Sequence, residues 1–287
     1  MKGHSSLMLL RSRLTVLAAA LTASLAGSGL AQTVAESITP QYPILASYLT
    51  VPAAASIHGL AGTFFHTDLW LINSRNNPSP GCTASYLCAV NCGGLPTGYP
   101  TATANIFLAP GEVKLVVDVV QSLFAAPETA GSIRLAFPNG NGLFAASRTY
   151  SATEGSTAAF GATTAALGDG SAHTSALFVG LASSGGDLRS GTRSNVGIVN
   201  AAVYSTVFAP PATVTITLFT PDGAQLGSQL TLYVPVAAQV TNIFSAVGAD
   251  STAIEDAYVV VTSDVAVFPW ATVIDNQTGV SVPLPAY

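Results

Sequence analysis

The strongest constraint on this sequence is a pattern that it carries twice. Thr67–Asn73 (TDLWLIN) matches Ser194–Asn200 (SNVGIVN) position for position, with Asp68 over Asn195, Leu69 over Val196, Leu71 over Ile198 and Asn73 over Asn200. Residues 83–94 then lie over 213–224, 105–124 over 230–248, and 131–155 over 256–279, in the same order. Two copies are too few for a solenoid, so the reading is two tandem domains of like fold.

Each copy is patterned for strands. Residues 213–219 (TVTITLF) alternate apolar side chains with threonine, the period of a strand with one buried face. Pro221-Asp222-Gly223 follows, where proline presets one turn dihedral and glycine accepts a positive φ. Asn139–Gly142 and Asp275–Gly279 supply further hairpin signals, and 258–264 and 265–275 read as two strands. Short helical turns are expected after Asp118 (DVVQSLF) and Asn242 (NIFSAVG), both good N-cap residues. The expected core aromatics are Trp70, Phe107 and Phe124 in one copy, and Phe219, Phe244 and Trp270 in the other. The fold expected is all-β: two tandem antiparallel β-sandwich, immunoglobulin-like domains related by an internal repeat. Domain 1 is placed at 44–155, a glycine- and alanine-rich linker at 156–171 and domain 2 at 172–287.

The N-terminus reads as an export signal. Lys2, Arg11 and Arg13 precede an apolar run, Leu14–Leu25, and Gly29-Leu30-Ala31 offers small residues for cleavage before Gln32. Residues 1–31 are therefore assigned to a signal peptide and 32–43 to a lead-in. The apolar run is too short for a confident membrane span. The chain is expected outside the cytoplasm, as an extracellular, cell-surface or periplasmic protein that does not span the membrane after cleavage. Cleavage leaves six basic residues against fourteen acids, a net charge of −8. That balance argues against nucleic acid, whose phosphates require clustered Lys and Arg. An outer-membrane barrel is not expected either, because Pro283 and Pro285 interrupt the last strand.

The paired blocks TDLWLIN, LAPGE (108–112), DVV…LF (118–124) and SRTYS (147–151) resemble tandem immunoglobulin-like modules that recur in large secreted bacterial proteins. The resemblance covers residues 44–287. It implies a β-sandwich fold and export, and it carries no catalytic residues.

Cys82, Cys88 and Cys92 are spaced C-x5-C-x3-C. An exported chain permits disulfides. In one extended strand, Cys82 and Cys88 would stand ~20 Å apart, too far to bridge. A Cys88–Cys92 staple is favoured, with Cys82–Cys92 as the alternative. No metal site is expected, for lack of a fourth ligand and a C-x2-C knuckle. No cofactor is expected, with Ca²⁺ at loop carboxylates as the alternative, although no D-x-D-x-D-G loop occurs.

His66 and Asp68 are the nameable catalytic candidates, as a base and its orienting acid. They sit on one strand about 7 Å apart at Cα, no G-x-S-x-G elbow occurs, and the other copy has Arg193 and Asn195 there. A polar strand entrance explains them better, so no catalytic residue is assigned. The function expected is a non-enzymatic structural, adhesive or ligand-binding module whose partner is a protein or carbohydrate at the cell surface. The alternatives are a secreted hydrolase using His66 and Asp68, and a self-assembling surface component, suggested by low charge and an unpaired cysteine.

Overall fold

The computed structural model describes residues 48–59, 63–76, 81–92, 101–137, 142–153, 159–186, 191–204, 209–251, 253–278 and 280–287. The expected signal peptide and lead-in, and most of the Asn139–Gly142 turn, lie outside these residues. Residues 43–287 form one compact unit. The protein is all-β, with two antiparallel sheets and few helices. No helix among the described residues is long and apolar enough to cross a membrane.

The first sheet contains β1 (Tyr48–His58), β2 (Thr63–Asn73), β3 (Cys82–Val90), β4 (Ala102–Ile106), β5 (Val113–Val116), β6 (Thr129–Ala136), β7 (Leu143–Thr153), β8 (Ala159–Ala165) and β9 (Leu167–Gly168). A helical turn, α1 (Val119–Ser122), follows β5. The sheet is folded over itself. β1 pairs with β6 along most of its length and then with β2, with a bulge between Val51 and Ala54. One layer is thus β4-β3-β6-β1 and the other is β5-β2-β7-β8. Alternation decides what lies between them: Val51, Leu69, Leu71, Ala84, Tyr86, Ile133 and Leu135 point inward and are buried.

A second antiparallel sheet follows. Its strands are β10 (His173–Ser183), β11 (Thr192–Asn200), β12 (Ala212–Phe219), β13 (Gln225–Val234), β14 (Ala237–Val240), β15 (Ile254–Asp275) and β16 (Ser281–Leu284). A second helical turn, α2 (Ile243–Ala246), follows β14. Leu69 pairs with Val116 and Ser147, and Val196 pairs with Val240 and Ala271. Phe178, Val196, Ile198, Val214, Ile216 and Val259 fill this core. Pro283 lies on β16, which pairs with β15 alone, as a strand proline requires.

Three expectations are corrected. Residues 258–275 are not two strands: β15 runs unbroken and passes from pairing with β10 and β12 to pairing with β11 and β16. Ser263-Asp264 does not turn the chain, because Asp264 instead accepts the Thr213 backbone N–H from the side. Residues 159–165, within the stretch expected as a linker, form β8. Small residues make that strand possible, since a Cβ at Gly161 would collide with the backbone of Thr149 and Tyr150. Of the six expected core aromatics only Phe124 and Phe244 are buried, and Phe107 is 64% exposed. Trp70, Phe219 and Trp270 are half-buried and lie outside both cores, which use Tyr86 and Phe178 instead.

The two lobes touch through the outer surface of β3 and β6. Leu87 packs with Val203 and Val236, the Ser132 hydroxyl bonds that of Tyr204 at 2.8 Å, and the Arg134 guanidinium lies 4.5 Å over the Tyr204 ring. Burial of the Tyr204 phenol pushes its pKa up to about 12.

Candidate functional site

Asp68 and Asn195 do the same work. Each accepts a hydrogen bond from the backbone of the residue that opens a helical turn: Asp68 Oδ1 from Asp118 N at 2.9 Å, Asn195 Oδ1 from Asn242 N at 3.0 Å. Asp118 and Asn242 both have positive φ, 43° and 56°. Asp and Asn are the non-glycine residues that tolerate that region best. The side chain immediately before Leu69 in one lobe and Val196 in the other is therefore a clamp between strand and helical turn. The next polar group matched between the lobes is Asn73, whose side-chain amide donates to Ala109 O while its Oδ1 accepts from Arg75 N. Asn200 makes the matching set with Pro210 O and Ala202 N.

What the first lobe adds is a set of rings and charges on the outer face around that clamp. Cross-strand pairing puts His58 opposite Phe64, and Ser56 and Tyr150 opposite His66. The His58 and Phe64 rings meet edge-on at 4.6 Å, Phe64 and His66 lie 4.5 Å apart, and His66 and Tyr150 5.6 Å. His66 Nδ1 contacts Asp118 Oδ2 at 3.2 Å, and the Ser56 hydroxyl donates to the same oxygen. The other oxygen, Asp118 Oδ1, is buried without a hydrogen-bond partner. At the open end His58 Nδ1 pairs with Glu128 Oε1 at 2.7 Å, which lowers the Glu128 pKa. Arg148 sits over the Tyr150 ring at 4.9 Å. Burial raises the Tyr150 pKa, and the Asp68 carboxylate raises it further.

His66 thus finds its acid in Asp118, while Asp68 is committed to the backbone of the turn. Ser56 is fully buried and gives its hydroxyl to Asp118, so it is not placed as a nucleophile against His66. Sequence reading missed Ser56, His58, Phe64, Glu128 and Tyr150 as neighbours. It named Asp118 only as a helix cap. Among the described residues no group of three His, Cys, Asp or Glu side chains is placed to hold a metal ion.

Cys88 and Cys92 form a disulfide with Cα atoms 5.7 Å apart, and the Cys82–Cys92 alternative is not made. Cys82 is buried at the start of β3, and burial raises its thiol pKa to about 12. The unpaired cysteine therefore gives no support to disulfide-linked assembly. The native protein is expected to take up no thiol label at mildly alkaline pH, and one label per chain after denaturation; mass spectrometry of the alkylated chain reads both.

No family model, curated protein or solved structure matches this chain.

Proposed function

We propose that the chain is an exported, non-enzymatic binding module, with the ring-and-carboxylate face of β1, β2 and β7 as its ligand contact. The observation that carries this reading is the contrast between the lobes. Where the first lobe has Asp68, Asp118, His66, Arg148 and Tyr150, the corresponding pairing positions of the second hold Asn195, Asn242, Arg193, Thr272 and Ile274. An amide suffices to clamp the turn, so the carboxylates and rings exceed what the fold requires. The exposed His58 ring and the half-buried Phe64, His66 and Tyr150 rings, beside hydrogen-bond acceptors, suit a carbohydrate, whose C–H faces lie on aromatic rings and whose hydroxyls donate to carboxylates. The N-terminal signal pattern and the disulfide support export.

Asp118→Asn and Tyr150→Ala are the discriminating variants, because the second lobe folds with Asn and an aliphatic residue at those places. On an array of neutral and charged oligosaccharides, wild-type protein is expected to bind. Each variant should lose at least about tenfold in affinity, the scale of a contact residue, with the thermal midpoint little changed. Absence of binding across the array, or undiminished binding by both variants, rejects the assignment.

A further inference from the structure

The second lobe seals a surface that the first lobe leaves open. On the outer face of the second sheet, Ala237, Val199 and Phe268 form one cross-strand row. Val199 is 0% exposed and Phe268 1%, and Ala237 packs with the cluster that contains Leu87 of the first lobe. The first lobe has the same row at the same register: Val113 pairs with Ile72, and Ile72 with Phe144. The neighbouring row holds Leu115 and Trp70. Here Val113 is 61% exposed, Leu115 47%, and Val117, next along, is exposed too.

The receiving surface is also present twice. In the first lobe it comprises Leu87, Ser132 and Arg134, which meet Val203, Val236 and Tyr204. Asn73 reaching Leu108 O and Asn200 reaching Val234 O match Ile106 with Leu232, hence their partners Cys82 with Val214 and, further along, Tyr86–Ile133 with Leu218–Val259. This is two residues on from the register read in the sequence, and the corresponding positions on the second sheet are Phe219, Tyr258 and Val260. Phe219 and Tyr258 stack at 5.0 Å, Tyr258 pairs with Val179, and Val260 with Leu177. Val179 is 43% exposed and the others are half-buried. This copy of the receiving surface is more apolar than the one in use.

We propose that these two faces bind each other between molecules, so that the outer β5–β2 face of one copy docks on the outer β10–β15–β12 face of the next. The occupant is a second copy of this chain because, within one chain, Ala237 of the second lobe's row already packs against the cluster of Leu87, Val203 and Val236 that joins the two lobes. Contiguous apolar surface is rarely left bare on a monomer. Such a contact uses different patches on the two partners and leaves one of each free, so it propagates head to tail. Its strength comes from the strand rows, since Asn76 stands in the first lobe where Val203 stands in the second.

The test is sedimentation velocity on the purified chain over a wide concentration range, with Val113→Asp and Val179→Asp. Both side chains are exposed, so both variants should keep the wild-type thermal midpoint. Wild type should show mass growing beyond a dimer. Each variant alone should associate at least about tenfold more weakly, the loss expected when a carboxylate enters an apolar contact. An equimolar mixture of the two should form a dimer and stop there, since each supplies the face that the other lacks. Wild type that stays monomeric overturns the proposal. So does a Val179→Asp variant that still dimerises, which would mean a contact between identical faces.

Discussion

Replacing Asn200 with alanine is expected to lower the free energy of unfolding by about 2–4 kcal/mol, two to three lost buried hydrogen bonds at roughly 1 kcal/mol each plus the polar groups stranded by the change. Asn200 is fully buried. Its amide donates to Pro210 O at 2.8 Å and approaches Val234 O and Pro235 O, and its Oδ1 accepts from Ala202 N at 3.0 Å. The side chain thus stands in for backbone partners where β11 ends, the chain turns into Ala201–Tyr204 and β13 leads towards β14. Alanine removes the donor to Pro210 O and the acceptor of the Ala202 N–H. Asp at 200 should also destabilise, because it keeps the acceptor and loses the donor. Urea unfolding, with midpoint and slope fitted separately, measures the effect. A loss under about 0.5 kcal/mol, the range of an ordinary surface change, would show that Asn200 is not the fastener described.

That residue also shows what the sequence can disclose. Leu69, Leu71 and Asn73 against Val196, Ile198 and Asn200 could be read as two inward faces and an exit, because alternation and a terminal Asn are local signals. The turns after Asp118 and Asn242 were legible for the same reason. Asp68 was not: its partner is the backbone of a residue 50 positions away, and Asn195 reaches one 47 away. No local pattern announces such a contact. The ring row on β1, β2 and β7 depends likewise on strand register, which sequence spacing leaves open. β8 was missed because a run of Ala and Gly lacks apolar alternation; the small residues are there to let an edge strand approach Tyr150. Phe107, Trp70 and Trp270 show the limit of counting aromatics. Residue type suggested burial, but their positions place them outside the inward-facing set.

The two tryptophans carry the sharpest remaining consequence of register. Gly197 pairs with Trp270, and the same position in the first lobe pairs Trp70 with Ala146. Each lobe therefore has one indole on the outer face at this point and one small residue beneath it, on opposite strands. A Cβ on Gly197 would run into the Trp270 indole. Gly197→Ala is expected to destabilise by about 1–3 kcal/mol, the usual cost of overpacking a filled site. With Trp270→Ala in the same chain the clash is gone. Alanine at 197 should then be neutral or mildly stabilising, by up to about 1 kcal/mol, since glycine weakens a strand interior. The double-mutant cycle should return a coupling of roughly 1–3 kcal/mol, as expected for residues in direct contact. Gly197→Val, with a larger side chain in the same place, should cost more than alanine. Indole fluorescence should report the displaced ring in Gly197→Ala before any unfolding. Additive effects in the cycle would mean that the glycine is needed for its backbone alone, and the packing argument would fail.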